Sequence, residues 1–384
     1  MTTNTLTNLL PNLYADLDVV SRELTGLIPA VTLDASLARG KVGQNVYIPQ
    51  APVNTSSTIT PSMTVPSEAD ETIASVAVSI SKSKAVQFSW DGEEERGLNT
   101  GVGVSSIWRG QFAQALRVLV NEVEADLAGL QTKFSRAYGA ANAVPFATAG
   151  DFSDASRVLQ ILKDNGSPLS DNQLVINTNA GANFLGKQAE SDRQGTDSIL
   201  RQGVFQTVSG MDLRESGQIA SFTAGSFTSG TLTSAVRAKG STVLAATTDY
   251  TAGLAAGDVI TLAHESDAHK YVIQAVAAGT ITIQAPGLRT ATAATGTVAI
   301  TKIASSARNM AFNRSAIVLA TRLPARPSAG DMAIDVTTLI DPRSGLAFEV
   351  SVYPGYRKVV YEVSLAWGFE VIKPEHTALL IGTP

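Results

Sequence analysis

The sequence predicts an α+β fold organised around one long helix, and three observations carry that prediction. From Ser105 to Tyr138 the residues Trp108, Phe112, Leu116, Leu119, Val123, Leu127, Leu130 and Phe134 recur at steps of three or four with no proline between them. That spacing draws one continuous apolar stripe along a helix. Alternating apolar runs flank it, from Val46 to Trp90 and from Leu346 to Leu380, and read as strands. Between Gly225 and Ser305 only nine of 81 residues are charged, and short runs rich in threonine and branched residues recur at regular spacing. Such a stretch is the signature of a small all-β barrel or sandwich inserted into the α/β pattern.

At 384 residues and 44% apolar content the chain can bury a sizeable core and divide into two or three domains. It has no cysteine, which excludes disulfides, thiolate chemistry and cysteine-held metals. A net charge of −5 argues against gripping nucleic acid through a broad basic face, because that affinity grows with the number of phosphates neutralised. No run approaches the length of a membrane span, and Met1 to Leu9 is polar, so the expectation is a soluble, uncleaved chain without a secretion signal. Charged residues make up 16% of the chain, against about 25% in typical soluble proteins. That shortage fits a subunit largely covered by copies of itself.

In chain order, a polar arm leads into a helix carrying Leu13, Leu17, Val20 and Leu24 on one face, started by Pro11 or Asn12 and ended by Gly26 and Pro29. Gly43 to Pro49 alternates as a strand, and Pro49 to Glu68, with four prolines, is an extended excursion. A return run follows through Val76, Val78 and Ile80 to Val86, Phe88 and Trp90. Val46 to Trp90 therefore reads as a long two-stranded projection, and such a hairpin is marginal alone in water. A neighbouring subunit is the support expected for it, with Val46, Ile48, Val76, Val78, Val86, Phe88 and Trp90 as candidate interface residues. Asp91 to Arg96, with four acidic residues, reads as a solvated turn. Gly97, Gly101 and Gly103 before the long helix are candidate hinge residues because glycine tolerates many backbone conformations.

The long helix itself, over 105–138, would extend roughly 50 Å at the usual helical rise. Ser105 or Ser106 would cap it, Lys133 and Arg136 would suit its C-terminal dipole, and Gly139 would stop it. A shorter helix runs from Asp151 or Ser153 to Lys163, burying Ala155, Val158, Leu159 and Leu162, with a strand over Gln173 to Asn177 and a helix over Ala180 to Gly186 after it. Ser191 to Gly203 is a polar loop. In the insertion the strands are Thr242 to Ala245, Asp258 to Leu262, Lys270 to Val276, Thr280 to Gln284 and Gly296 to Ile303. Ala316 to Leu319 resumes the outer pattern, and the final strands run through Phe348, Val359 to Leu365, and Glu370 to Ile372.

Catalytic residues are hard to assemble from this chain. His264 and His269 are separated by five residues, which puts their imidazoles on opposite faces of a strand and does not match the helical pair of a zinc protease. They read as part of a polar loop, and His376 as a surface or interface residue. No Gly-x-Ser-x-Gly elbow occurs, and the carboxylate pairs Glu93 with Glu95 and Asp341 with Glu349 have no fixed separation in sequence. Gly101-Val102-Gly103-Val104 lacks the Lys-Ser/Thr ending of a phosphate loop. The expectation is a protein that is not an enzyme and has no cofactor and no metal site.

Several stretches carry a resemblance, by their order and spacing, across nearly the whole chain. They are Pro11-Asn12-Leu13-Tyr14-Ala15 through Ile28-Pro29-Ala30-Val31, Gly43 to Pro49 with Ala51-Pro52, Asn309-Met310-Ala311-Phe312-Asn313-Arg314, and Gly368 to Glu375. With them the chain resembles the major capsid proteins of tailed bacteriophages, the Hong Kong 97-type fold, and among these the coat proteins of short-tailed phages that carry an inserted β domain. The resemblance implies an N-terminal arm and helix over 1–42, an extended loop (E-loop) over 43–90 and a peripheral domain with its spine helix over 91–151. It further implies an axial domain over 152–222 and 307–345, an inserted β-barrel over 223–306, and C-terminal strands of the peripheral domain over 346–384.

The function it implies is self-assembly into hexamers and pentamers of an icosahedral head. That head encloses double-stranded DNA without sequence-specific binding, and the procapsid expands on maturation. The implied partners are other copies of the chain, a scaffolding protein, a portal protein and a decoration protein. The implied location is the virion, after assembly in the host cytoplasm, with no membrane. Some members of this fold crosslink neighbours through a loop lysine; Val53 to Asp70 contains none, so no crosslink is expected. The alternative is a β-rich virion decoration or tail/adhesion protein, which accounts for the threonine-rich insertion but not for the long internal helix.

Overall fold

The computed structural model describes residues 25–51, 58–59, 61, 73–98, 104–148, 152–188, 207–263, 269–292, 297–340 and 345–383. The expected N-terminal helix, most of the Pro49 to Glu68 excursion, the Ser191 to Gly203 loop, His264, Asp341, Gly101 and Gly103 lie outside these residues.

Two sheets and the long helix organise the chain as a mixed α+β fold. One sheet runs in the order Thr32–Gly40, Ile317–Pro324, Lys358–Val371, Ala347–Gly355, Asp335–Ile340, with Lys82–Asp91 added along Lys358–Val371. The first pair is parallel and the remaining pairs antiparallel. The helix Val104–Gly129 lies on this sheet. Its Phe112, Leu116, Leu119, Val123 and Leu127 share one buried cluster with Phe348, Val350, Val363, Leu365 and Trp367. Each such side chain removed from water contributes roughly 1.5–3 kcal/mol, so the stripe along the helix is what holds helix and sheet together.

The second sheet spans both sides of the insertion. It begins with Ser229–Leu232, Val298–Lys302, Val259–Leu262 and Lys270–Ala277, passes through Arg136–Gly139, and continues with Thr377–Gly382, Ser306–Asn313, Asn172–Ile176, Met211–Glu215 and Thr207–Val208. The helix Ser153–Asp164 covers its second half, with Ala155, Val158, Ile161 and Leu162 packed on Leu174, Ile176, Leu213, Ala311 and Leu380. The insertion strands have their own cluster, built on Leu232, Leu244, Ile260, Leu262, Ile273, Ile281, Ile283 and Ile300. All five expected insertion strands are present within a residue or two, and Gly279 makes the expected turn with a φ of +70°.

Three expectations change. The helix ends at Gly129, followed by a 3-10 turn over Leu130–Lys133, and Phe134 is already extended at φ −79° and ψ 155°. Strand pairing overrides the helical spacing there: Arg136–Gly139 bonds parallel to Thr377–Gly382 and antiparallel to Lys270–Ala277. Leu130 and Phe134 are buried as expected, but not on a helix.

The projecting hairpin is Asn45–Pro49 paired with Ser75–Ser79, whereas Lys82–Asp91 belongs to the main sheet. Asp91 to Arg96 is no plain turn but the start of a short helix, Gly92–Leu98. Asp91 Oδ1 accepts from the Glu93 and Glu94 amides at 3.0 and 2.7 Å, and Glu94 Oε2 accepts from the Asp91 amide at 3.2 Å. That reciprocal capping box starts the helix.

Candidate functional site

The hairpin is the first candidate surface, and its apolar face is turned inward. Val46, Ile48, Val76 and Val78 pack on Val318, Ala320 and Ile372 of the same chain, with Val78 fully buried. The alternation of a strand puts these four on one face, and the six-stranded sheet lies beneath that face. Gln50 Nε2 donates to the Ile372 carbonyl at 3.0 Å, and the Ser81 amide to the Trp367 carbonyl at 3.0 Å. The hairpin root crosses Gly368, where a β-carbon would meet the Ser79 carbonyl oxygen at 2.0 Å, so only glycine fits this crossing. Tyr47 on the opposite face is 66% exposed, and Ile73 beside the second strand is 69% exposed.

Val86, Phe88 and Trp90 are also taken up within the subunit, because their strand pairs with Lys358–Val371 and the long helix packs on both strands. The Phe88 ring meets Phe112 edge-on with centroids 4.8 Å apart and stacks on Tyr361 at 5.5 Å. Trp90 Nε1 donates to Gln111 Oε1 at 2.6 Å. Lys82 Nζ lies 3.1 Å from Glu122 and 2.7 Å from Asp126, while Lys84 Nζ lies 2.6 Å from Glu122. Trp367 Nε1 donates to Asp126 Oδ2 at 2.9 Å. Burial alone would lower the Lys82 pKa, but its bonds to Asp126 and Glu122 outweigh that and raise it. Burial would likewise raise the Glu122 pKa, and the two lysines lower it. A lattice of charges thus ties the outer rows of the helix to the strand beside it.

The second candidate surface is the outer strand of the six-stranded sheet, Asp335–Ile340, which pairs on one side with Ala347–Gly355. Met332, Ile334, Val336 and Ile340 are exposed at every second position or nearly so, and Met332 reaches 78%. Leu339 between them is buried, so the alternation leaves an apolar row outside. The sequence reading missed this row because a proline-rich stretch, Pro324 to Pro327, masked the strand that follows it.

Buried polar groups also went unread. Glu124, on the packed face of the long helix, is fully buried and accepts from the amides of Gly26, Leu27 and Ile28 at 2.7, 2.7 and 2.9 Å and from Ser216 Oγ at 2.7 Å. Burial raises its pKa, against the lowering effect of those four bonds. Two buried arginines bond across to the threonine-rich stretch 225–305. Arg136 Nη2 donates to the Gly287 carbonyl at 2.8 Å and lies over the Tyr271 ring; Arg308 Nη1 donates to the Gly257 carbonyl and lies 3.5 Å from the centre of the Phe222 ring. Desolvation brings the Arg308 pKa down to about 10, and the charge of Asp258 opposes it. Gly257 and Gly287 both have positive φ, +89° and +80°.

Of the histidines and carboxylates weighed for chemistry, His269, His376 and Glu349 have structural placements among the described residues. His269 is buried in front of the insertion strand Lys270–Ala277, and His376 sits in the 3-10 turn Pro374–His376, where burial lowers its pKa. Glu349 is buried and held by Arg326 at 2.9 Å and Arg39 at 2.7 Å. Among the described residues no group of three or more metal-ligating side chains converges, and no helix is long and apolar enough to cross a membrane. An open cavity of about 410 Å³ lies between the end of the long helix and the insertion, lined by Thr132, Lys133, Gln274, Gln284, Glu370 and Pro374 among others. Gly97 falls within the helix Gly92–Leu98.

No family model matches the chain, and no curated protein does. Among solved structures it is similar to one from Mycobacterium phage Che8, at 12% identity over 95% of this chain and 90% of that one, with a TM-score of 0.44. The capsid of cyanophage P-SCSP1u is similar at 11% identity over 92% and 86%, with a TM-score of 0.47. The mature capsid of bacteriophage PhiM1 is similar at 10% identity over 92% and 86%, with a TM-score of 0.46. At identities and scores this low, a functional reading has to stand on the geometry of the chain itself.

Proposed function

We propose that this chain is a major capsid protein of the Hong Kong 97 type, a subunit that builds a closed phage shell from copies of itself. The observation that carries the reading is the pair of apolar surfaces left uncovered on the lone chain: the outer face of the hairpin at Tyr47 and Ile73, and the row from Met332 to Ile340. A subunit low in charge with two separate apolar surfaces suits contacts that repeat around a ring, since a patch meeting a different patch on the next copy generates a ring when the rotation between copies closes. The long helix, fixed to its sheet by packing and by the lysine lattice, suits the role of spine.

In this reading the hairpin is the projecting part of the E-loop of 43–90, the helix belongs to a peripheral domain over 91–151 and 346–384, and the axial domain of 152–222 and 307–345 carries the inserted β domain of 223–306. The contact with a neighbour passes to the outer face of the hairpin, because Val46, Ile48, Val76, Val78, Val86, Phe88 and Trp90 are engaged within the subunit. The shell forms hexamers and pentamers on a scaffolding protein with a portal at one vertex, binds a decoration protein, encloses double-stranded DNA and resides in the virion. Gly97, Gly101 and Gly103 let the entrance of the spine bend as the procapsid expands, so replacing Gly101 and Gly103 by alanine blocks expansion and spares procapsid formation.

Negative-stain microscopy of the purified protein, expressed with and without a scaffolding partner, tests the reading. Shells or ring-shaped capsomers support it. A protein that stays monomeric under both conditions overturns it and favours a decoration or tail module.

A further inference from the structure

Three successive amides at the root of the N-terminal segment bond to one side chain of the long helix. Ile28–Ala30 forms a 3-10 turn with no side-chain cap of its own. Pro29 has no N–H, and the amides of Ala30 and Val31 bond back to the Leu27 carbonyl at 3.0 and 3.2 Å. The free amides at the start of this turn are those of Gly26, Leu27 and Ile28, and all three point at Glu124, some hundred residues away in sequence. Oε1 accepts from Gly26, Leu27 and Ser216; Oε2 accepts from Ile28. One carboxylate therefore caps the turn and also takes the hydroxyl of Ser216, the residue just after the strand Met211–Glu215.

The surroundings leave little tolerance. A β-carbon on Gly26 would meet the Glu215 carbonyl oxygen at 2.5 Å and Val175 at 2.9 Å, so the segment can approach only at a glycine. Among the described residues no cation bonds to Glu124. Of the charged groups on the elements around it, Glu215 turns its carboxylate to Gly181, and Arg314 donates to the Pro29 carbonyl at 3.3 Å. Among the described residues its oxygens are satisfied by oriented N–H and O–H dipoles, and each donor lost weakens that arrangement.

We propose that Glu124 is a buried coupling latch: it locks the root of the N-terminal segment and the end of the strand Met211–Glu215 to the long helix, so that the three move as one body. A shift of the helix carries both with it, and loss of the carboxylate frees the root locally without melting the helix. The geometry carries this inference whether or not the chain forms a shell.

Hydrogen exchange of the unassembled full-length chain, followed by mass spectrometry, tests the latch in the wild type, Glu124→Gln and Ser216→Ala. Glutamine keeps the reach but sets an NH₂ group against the Ile28 amide. Protection of the amides of residues 26–28 should fall at least tenfold in Glu124→Gln and several-fold in Ser216→Ala, with the amides of residues 116–127 unchanged. If Glu124→Gln fails to fold, Ser216→Ala, which keeps the carboxylate and its three amides, decides alone. Unchanged protection at residues 26–28, or protection lost there only in step with the helix and sheet, overturns the latch.

Discussion

Replacing Phe112 by alanine tests whether the long helix bears on the sheet through its stripe. The ring is buried and, among the described residues, sits against two others, 4.8 Å from Phe88 at 86° and 5.6 Å from Tyr361 at 71°. Phe88 and Tyr361 are register partners on adjacent strands and stack at 5.5 Å. Removing a buried phenylalanine costs ~3–5 kcal/mol, the range reflecting how far the site collapses. Phe88 and Tyr361 are only partly buried, so the gap can collapse in part, which places the expected loss near ~3 kcal/mol.

Edge-to-face pairing contributes a further ~0.5–1.5 kcal/mol beyond burial, so a cycle with Phe88→Ala should show a coupling of ~1 kcal/mol. Urea unfolding of the unassembled subunit, followed by tryptophan fluorescence, measures both. A loss below ~1 kcal/mol, or single-mutant losses that add within ~0.3 kcal/mol, would refute the claim that this ring cluster ties helix to sheet.

Three further outcomes follow from the same geometry. Because burial raises the folded pKa of Glu124 above its ordinary value of 4.5, the folded chain holds that proton more tightly than the unfolded chain. The associated stability is present in full below the unfolded value and is lost as pH rises through the folded one. The stability of the wild type relative to Glu124→Gln should therefore decline between acid and neutral pH in urea titrations; a difference that does not vary with pH contradicts it. Gly368→Ala forces a β-carbon onto the Ser79 carbonyl and should cost ~1–3 kcal/mol by overpacking, while protease cleavage within the hairpin speeds up; an unchanged melting temperature would show that the hairpin root can move aside. Denaturing gels of assembled particles should show a single band at the mass of the chain, since Val53 to Asp70 has no lysine, and a ladder of multimers would overturn that expectation.

Strands and helices with one buried face were legible because their side chains repeat with the period of the element. Phe112, Leu116, Leu119, Val123 and Leu127 are all buried where the stripe placed them, and the insertion strands stand out by alternation against a weakly charged background. What periodicity cannot say is which surface an apolar face meets. Val46, Ile48, Val76 and Val78 have the pattern of a face needing cover, and whether the cover is a neighbour or Val318, Ala320 and Ile372 of the same chain depends on contacts far apart in sequence. Glu124 was hidden for a related reason: a carboxylate within an apolar helix face looks like a boundary residue until its donors, near residues 26 and 216, are brought to it. The capping box of Asp91 and Glu94 was readable in principle, since an acidic cap followed three residues later by glutamate is a helix start.

The error at the end of the long helix shows what that segment does. Leu130 and Phe134 continue the helical spacing and are buried, yet a helix continued past Gly129 would leave the amides and carbonyls of Arg136–Gly139 bonded within itself and unavailable to either neighbouring strand. Extended, the same four residues supply both edges of a join, to Lys270–Ala277 on one side and Thr377–Gly382 on the other. Arg136 within that join also reaches the Gly287 carbonyl of the insertion. The C-terminal end of the helix is thereby built into the seam between the insertion and the rest of the second sheet, while its middle lies on the first sheet and holds the N-terminal root through Glu124. The helix and the short turn that follows it are therefore attached to three parts of the chain, the first sheet by packing, the N-terminal root by Glu124, and the seam of the second sheet by strand pairing, which the stripe alone would not require.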